Sequence, residues 1–392
     1  MRTLPVLFVA ASSVFLAGCH SKTSASTDTA GHPPAIDVAA LRAGSIAAAQ
    51  NPLPGMPPVL DPLDLYSADR PGMLSPVVKN FVERVYVPNT ESNSVDVIDP
   101  AVMKVVGHFK VGRLPQHVTP SWDLKKLWVL NDKGNSLTRI DPATGEKHET
   151  IPVKDPYNMY YTPDGKYALV VAEQRERLEF YDAQTMKLKN EVWVPCKGID
   201  HMDFSPNGRY LIASCEFGHA VIKFDVEKQK LIKRLPVQPA GMPQDVKLSP
   251  DGNVFYVADM DSDGVHMIDG EKMREIGFIA TGRGAHGLYV SRDSKVMYVS
   301  NRGEGSISLI DLAKRAVTAK WQIPPPASPD MGGVSSDGKV LWLAGRWNSE
   351  VYAIDTGDGK LIARIPVGHG PHGLCIYPQP GRYSLGHTGV FR

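Results

Sequence analysis

Residues 297–311 read MYVSNRGEGSISLID, a hydrophobic strand that ends in Asn, a Gly-rich turn, and a second strand that ends in Asp. The pattern recurs along the chain, and its first strand ends at positions 89, 131, 173, 215, 259, 301 and 345, which are 42 or 44 residues apart. The second strand ends in Asp in all seven units: Asp99, Asp141, Asp182, Asp225, Asp269, Asp311 and Asp355. Repeats of about 40–45 residues built from short strands are typical of β-propeller blades.

Turn sequences mark the other strands of each unit. Ser249-Pro250-Asp251-Gly252 and similar segments are tight hairpin signals, because Gly readily adopts the positive φ that such turns need. We therefore predict an all-β, seven-bladed β-propeller with four-stranded blades. The two strands of the quoted pattern are taken as the second and third strands of each blade. The chain therefore enters on the second strand of a blade, at Val85, and leaves on residues 372–377. The C-terminal strand is thus predicted to complete the first blade and close the ring.

The composition excludes some classes of partner. The chain has 392 residues, with 43 Lys and Arg against 42 Asp and Glu, so its formal net charge is +1. Nucleic-acid binding needs a basic surface, so we expect no nucleic-acid partner. Hydrophobic residues make up 42% of the chain, enough for a large core. Length alone would suggest two or three domains, but a single ring of seven repeats accounts for nearly all of the length.

The N-terminus has the pattern of an export signal. Arg2 precedes an apolar stretch over residues 4–16, which is too short to span a membrane, and Leu16-Ala17-Gly18-Cys19 follows. This segment resembles the bacterial lipobox, which implies a lipoprotein signal peptide over residues 1–18 and lipidation of Cys19. An ordinary signal peptide with a chance Cys is the alternative. The resemblance implies a cell-envelope protein on the periplasmic side of the outer membrane or at the cell surface.

Residues 19–80 are predicted to form a lipid-anchored tether that leads to the propeller at 81–392. From residue 20 onward the tether holds nine Pro and one aromatic residue, Tyr66, so it has little apolar surface to bury. A short helix over residues 37–50, capped by Asp37, is expected within it. The alternative is that part of this segment packs on the propeller and covers one face.

The repeat region also has a family resemblance. Tyr298-Val299-Ser300-Asn301, followed by Ile307-Ser308-Leu309-Ile310-Asp311, resembles the bacterial YVTN-type β-propeller repeat, as does Pro371-His372-Gly373-Leu374. The resemblance covers residues 84 to about 377 and implies the fold. It does not imply an activity, since the family includes surface-layer proteins and secreted binding proteins.

Positions that differ between blades are the candidates for a ligand site. The innermost strand of each blade begins with a residue pair that should face the central channel, and Arg residues follow the second strands of two blades. The candidate rim residues are His117, Asp200, His201, Asp245, His286, Asp330, His372, Arg302 and Arg346. They could bind a metal or a small anionic molecule. Alternatively, the channel wall is polar because water fills it, and Arg302 and Arg346 form salt bridges with Glu304 or Glu350.

Motifs narrow the chemistry further. The seven repeated Asp residues suit a turn role, because every blade needs the turn whereas a single site does not. Cys-x-x-Cys-His, Gly-x-Ser-x-Gly and His-Glu-x-x-His are absent from the sequence, so no covalent haem or familiar catalytic motif is predicted and the cofactor is undefined, with a divalent metal as one candidate. Cys196 and Cys215 flank one hairpin and are a candidate disulfide, whereas Cys375 is expected to be a buried hydrophobic residue.

These observations favour a membrane-anchored, monomeric binding or scaffold module that holds a protein or a small molecule at its polar rim. This interpretation makes the protein non-enzymatic. The alternative is a periplasmic enzyme or redox accessory protein that uses a His/Asp channel site with a divalent metal or cofactor.

Overall fold

Twenty-eight strands form seven four-stranded antiparallel sheets in the computed structural model, which describes residues 38–387 and 390–392. A single α-helix within those residues, α1, spans Val38–Ala48. The first blades contain the strands β1 (Arg84–Asn89), β2 (Ser94–Asp99), β3 (Lys104–Lys110), β4 (Pro115–Pro120), β5 (Leu127–Asn131), β6 (Ser136–Ile140), β7 (Lys147–Pro152), β8 (Pro156–Tyr161), β9 (Tyr167–Ala172), β10 (Arg177–Asp182) and β11 (Leu188–Trp193). The later blades contain β12 (Ile199–Phe204), β13 (Tyr210–Cys215), β14 (Ala220–Asp225), β15 (Lys230–Pro236), β16 (Pro243–Leu248), β17 (Phe255–Asp259), β18 (Gly264–Asp269), β19 (Arg274–Ala280), β20 (Ala285–Val290), β21 (Val296–Asn301), β22 (Ser306–Asp311), β23 (Ala316–Gln322), β24 (Pro329–Val334), β25 (Val340–Gly345), β26 (Glu350–Asp355), β27 (Leu361–Pro366) and β28 (Cys375–Tyr377).

The two ends of the chain share one blade. Blade 1 has the strand order β28-β1-β2-β3, and blades 2 to 7 follow in sequence from β4–β7 to β24–β27. Tyr86 pairs with Cys375, and Val85 pairs with Ile376. The predicted all-β, seven-bladed ring and its closure by the C-terminal strand are therefore confirmed. The closing strand is shorter than predicted, because upstream of Cys375 the pairing with β1 continues only as an isolated bridge between Pro371 and Asn89, while Gly373 forms a bridge with His117 of blade 2.

Burial decreases from the channel outward. Every residue of the inner strands β4, β8, β12, β16 and β24 is buried, whereas the outermost strands β7 and β11 are mostly exposed. Hydrophobic clusters fill the spaces between neighbouring blades; one of them packs Val85 and Val87 of blade 1 against Trp342 of blade 7. Burying a side chain of this size contributes about 1.5–3 kcal/mol, so contacts between blades are the main source of ring stability.

The repeated Asp residues have the predicted turn role. In each of the seven units, the Asp carboxylate at the end of the blade's third strand accepts a hydrogen bond from the backbone N–H of a residue two or three positions later. Ala101 donates to Asp99 at 2.9 Å, and Lys228 donates to Asp225 at 2.8 Å. These bonds replace water at a tight turn. The seven residues therefore stabilise the fold.

The segment before β1 packs on the face of the propeller that carries the hairpins between first and second strands, which we call the lower face. Leu53 N–H donates to the Asn207 carbonyl at 2.7 Å, and the Tyr66 hydroxyl donates to the Leu248 carbonyl at 2.8 Å. Val78 is fully buried. Of the two interpretations of the Pro-rich segment, packing on the body describes residues 53–80, because Leu53, Leu65 and Val78 are buried in hydrophobic clusters of the propeller, although Leu60, Met73 and Val77 are exposed. The lipobox, Cys19 and Asp37 lie outside the described residues.

Two further features concern the cysteines and membrane-spanning helices. The structure joins Cys196 and Cys215 in a disulfide, with their Cα atoms 4.9 Å apart, and Cys375 is a buried free thiol. No helix within residues 38–387 is long and apolar enough to cross a bilayer.

Candidate functional site

Side chains from the inner strands line the channel in two consecutive rings. The upper ring is the first residue of each pair predicted from the sequence: Gln116, Tyr157, Asp200, Gln244, His286, Asp330 and His372. The lower ring is the second: His117, Asn158, His201, Asp245, Gly287, Met331 and Gly373. All fourteen are buried. These positions are therefore enclosed by the protein, and the role in ligand binding that the sequence predicts for them stays a prediction.

Asp330 is the centre of the first polar network. Its carboxylate lies 3.1 Å from Arg302 Nη1, 2.7 Å from His372 Nδ1 and 3.2 Å from His286 Nδ1, and Arg346 Nε is 4.0 Å away. Burial holds the pKa of His286 and that of His372 well below the usual value for histidine. The neutral His372 ring can then donate Nδ1–H to Asp330, and the two guanidinium groups supply the opposite charge, whereas Nδ1 of His286 contacts Met331 Sδ at 3.0 Å.

This network uses both candidate rim arginines. The alternative salt bridges with Glu304 and Glu350 are not formed, because Glu304 lies 2.9 Å from Lys320 and Glu350 lies 2.6 Å from Arg364. Replacing either arginine would leave the buried Asp330 with less compensation, so the pair stabilises the channel.

Asp245 has a structural contact of its own. Its Oδ2 accepts the backbone N–H of Leu288, in the next blade, at 2.9 Å. Asp203, deeper in the channel, accepts the N–H of Leu248 in the same way at 2.8 Å. Burial raises the pKa of Asp245 to about 6. Such cross-blade bonds link neighbouring inner strands.

Carboxyl groups lie together at the upper end of the channel, which we call the mouth, on the side away from Asp330. Asp200 is fully buried, and its Oδ1 lies 3.1 Å from Nε2 of His201. Burial, together with the nearby charges of Glu216 and Glu173, raises its pKa well above the usual range. Burial and the charge of Glu216 raise the pKa of Glu173 to about 8, with Lys133 opposing the shift. The mouth is therefore divided, with Arg302 and Arg346 on one side and carboxyls that disfavour one another's ionisation on the other.

A third group of residues lies where the C-terminal tail, residues 381–392, enters the channel from the lower face. The tail runs along blade 3, where the Leu385 carbonyl accepts the Tyr161 N–H at 2.9 Å and Gly386 forms a bridge with Tyr160. Gly386 has a φ of +118°, and a Cβ there would lie 2.6 Å from the Met159 carbonyl oxygen. Only glycine fits this position without strain.

The tail brings His387 to two histidines of the lower ring. Its ring centroid is 4.1 Å from that of His117 and 4.8 Å from that of His201. One nitrogen of each ring can be chosen so that all three lie within 4.8 Å of one another. Burial lowers the pKa of His201 to about 3 and moves the pKa values of His117 and His387 in the same direction. All three rings are therefore neutral at physiological pH.

The structure thus separates the candidate residues predicted from the sequence into four groups. His286, Asp330, His372, Arg302 and Arg346 form one network, and the rings of His117 and His201 lie 5.5 Å apart. Asp200 lies at the mouth, and Asp245 is part of the cross-blade linkage. Sequence reasoning missed His387 as a member of a site, and it did not count Glu173 and Glu216, which lie at the same rim, among the candidates. For His387 the available signal was the absence of any repeat counterpart to the tail, together with its apolar residues Tyr383, Leu385, Val390 and Phe391.

Solved structures with the same fold come from proteins of different activities. Hydrazine synthase of Kuenenia stuttgartiensis is 18% identical over 70% of this chain and 92% of its own, with a TM-score of 0.62. A putative 6-phosphogluconolactonase from Bacteroides uniformis is 19% identical over 75% and 99%, with a TM-score of 0.63. The dihydro-heme d1 dehydrogenase NirN is 16% identical over 78% and 76%, with a TM-score of 0.58. At these identities the likeness shows the fold alone.

Among curated proteins, no sequence matches significantly. The YNCE-like beta-propeller family matches residues 72–381, which include every blade and most of the closing segment. The sequence resemblance to a YVTN-type propeller is confirmed by this match. The chain therefore belongs to the YNCE-like beta-propeller family.

Proposed function

We propose that this protein is a lipid-anchored propeller of the bacterial cell envelope that binds a small cationic ligand at the mouth of its channel. The observation that carries the proposal is the group formed by Asp200, Glu173 and Glu216, in which the charges of Glu216 and Glu173 raise the pKa of Asp200 and that of Glu216 raises the pKa of Glu173. Glu173 and Glu216 are partly exposed at the mouth and would contact the ligand, while Asp200 lies buried behind them.

The energetics favour a cation at this position. Ionising several carboxyls close together in a poorly solvated site is unfavourable, and for this reason their pKa values rise. A bound cation relieves the repulsion and replaces the protons. The low-dielectric walls of the channel also focus the potential toward the mouth.

The edges of the mouth suit a ligand of modest size. Phe217 follows Glu216 and is 51% exposed, and Trp347 on the opposite side is 67% exposed with Arg302 stacked 5.6 Å from its ring. An aromatic edge beside carboxylates can hold an organic amine by cation–π contact, whereas a bare metal ion would use the carboxylates alone. Calcium and a diamine are therefore the two probes that distinguish the classes of cation.

We expect calorimetric titration to detect cation binding whose affinity rises with pH. Because the pKa of Glu173 is about 8 rather than near its usual value, the ligand must displace a proton below pH 8, and the affinity should rise by up to about tenfold per unit until that pH is passed. Glu216, Asp132 and Asp155 also face Glu173 and disfavour its ionisation, and Lys133 favours it. The same raised pKa means that Glu173 contributes stability that is fully present at low pH and lost as the pH rises through about 8.

The matched pair of variants is Glu173→Gln/Glu216→Gln and Glu304→Gln. We expect the double variant to lower cation affinity at least tenfold and to flatten the pH profile. The control variant changes Glu304, a glutamate that is already paired with Lys320, and this variant should bind the cation as the wild type does. Absence of binding of both calcium and the diamine at pH 8.5, or equal affinity in the double variant, would contradict the proposal.

The anchoring half of the proposal has its own test. In the native bacterium, Cys19→Ser should move the protein from the membrane fraction to the soluble periplasmic fraction, because stable attachment needs the acyl chains. Immunoblotting of the fractions measures this. A Cys19→Ser chain that stays in the membrane fraction would show that another feature holds it there.

A further inference from the structure

We propose that His117, His201 and His387 form a buried binding site for a late first-row transition-metal ion, and that the C-terminal tail completes this site. His117 belongs to blade 2 and His201 to blade 4, so the tail supplies the third donor between two walls of the channel. All three side chains are fully buried. Asp200 lies 3.1 Å from His201 Nε2, but Glu173 and Glu216, which would contact a cation at the mouth, are outside this group of histidines, and the proposal does not rest on cation binding there.

Two of the three rings lack hydrogen-bond partners. Neither nitrogen of His117 and neither nitrogen of His387 makes a hydrogen bond in the described residues, whereas Nε2 of His201 lies 3.1 Å from Asp200 Oδ1. A buried polar group with no partner costs about 1–3 kcal/mol. Four such nitrogens in one place are therefore unfavourable, and a coordinated metal would give one nitrogen of each ring a partner.

The surroundings orient His201 for coordination. Its Nδ1 lies 3.0 Å from Asn158 Nδ2 and 3.2 Å from Tyr160 Oη, and its Nε2 lies 3.1 Å from Asp200 Oδ1. Metal-binding histidines commonly have a polar neighbour on the second ring nitrogen, which fixes the ring. Tyr160 is itself held by the backbone N–H of Met202.

The backbone is shaped to admit the rings. A Cβ at position 373 would lie 1.8 Å from His117 Nδ1, so His117 occupies its place only because Gly373 has no side chain. On the other side, Gly386 allows the tail to turn immediately before His387. Two glycines therefore make room for this group of rings.

The ligand chemistry defines the class of metal. Three imidazoles suit Zn²⁺, Cu²⁺, Ni²⁺ and Co²⁺, whereas Ca²⁺ and Mg²⁺ prefer oxygen ligands. Three histidines also leave a coordination position for a further ligand. Binding would cross-link the tail to blades 2 and 4, so the metal should stabilise the docked tail by mass action.

The test is a Zn²⁺ titration of the full chain, purified without a polyhistidine tag and stripped with chelator, followed by metal analysis. We expect one Zn²⁺ per chain and a higher melting temperature with Zn²⁺. His387→Gln should lower the affinity at least tenfold, and His286→Gln, which changes a channel histidine outside the group, should bind as the wild type does. A Co²⁺ absorption spectrum that loses its intense visible bands in His387→Gln would identify the ligand directly.

Circular dichroism of the metal-free variants establishes that each one folds. If His387→Gln does not fold, His117→Gln tests the same site from the channel wall, with the same expected loss. Wild-type protein that binds no Zn²⁺, or a folded His387→Gln or His117→Gln that binds with unchanged affinity, would overturn the proposal. Glu173→Gln/Glu216→Gln should retain Zn²⁺, so failure at the mouth and failure at the histidines can be told apart.

Discussion

A chain that lacks residues 371–392 is expected to lose cooperative unfolding and to aggregate on expression. The deletion removes β28, so β1 becomes an exposed edge and the first blade keeps three strands. It also removes eight buried apolar side chains: Leu374, Cys375, Ile376, Tyr377, Tyr383, Leu385, Val390 and Phe391. Each full burial contributes about 1.5–3 kcal/mol, so the summed loss is comparable to or larger than the roughly 5–15 kcal/mol by which a typical domain is stable.

The matched control is a deletion of residues 381–392, which removes the tail but keeps the closing strand. We expect this shorter deletion to be destabilised yet folded, with a cooperative melt at lower temperature. Thermal unfolding followed by circular dichroism, together with size-exclusion chromatography, compares the two. A chain without residues 371–392 that melts cooperatively near the wild-type temperature would show that β28 does not close the ring in solution.

Arg392→Met is expected to destabilise the protein by about 3–5 kcal/mol, because it leaves a buried carboxylate without its partner. Arg392 Nη2 lies 3.1 Å from Asp203 Oδ1, and the two side chains are 8% and 0% exposed. The guanidinium also lies 4.6 Å from the centre of the Tyr66 ring, so one side chain joins the tail, the inner strand of blade 4 and the N-terminal segment. Urea unfolding measures the change in the free energy of unfolding.

Two comparisons make this result specific. Lys314→Met breaks an exposed ion pair with Asp311, in which the lysine is 70% exposed, and should cost no more than about 1 kcal/mol. Arg392→Met/Asp203→Asn removes the unpaired charge and should recover part of the loss. If Arg392→Met and Lys314→Met have equal effects, the buried pair does not stabilise the docked tail.

Much of the fold could be predicted because the repeat gives the same information seven times. The strand that ends at Asn301 and the one that ends at Asp311 have counterparts in every blade, so an ambiguity in one unit is resolved by the others. The turn role of Asp99 and its six equivalents followed from the same redundancy. Ring closure was also predictable, since Val85 begins on a second strand and residues 372–377 match a first strand.

The candidate site was predicted less well, for a geometric reason. The residue pairs that face the channel follow from the register of the inner strands, and the structure places them there. Which of them pair, and with what, depends on distances across the axis between residues far apart in sequence. His372 with Asp330, and His117 with His201, are contacts of this kind, and no local pattern specifies them.

The tail shows the limit most clearly. Residues 381–392 lack a repeat counterpart, so the periodicity that predicts the blades says nothing about them. Their position depends on the empty lower end of the channel, which exists only after the ring has closed. Arg392 and His387 acquire their partners, Asp203 on blade 4 and the histidines of the lower ring, at that stage.

The amino-acid sequence by itself determined the number of blades, the strand order and the turns, because strand formation and hairpin geometry depend on neighbours within one repeat. The tertiary structure alone decided that Asp330 is paired with Arg302, that Asp200 lies beside Glu173 and Glu216, and that His387 joins two histidines from blades 2 and 4. Those outcomes depend on burial and on distances across the channel, which are set only when seven separately specified blades share one axis.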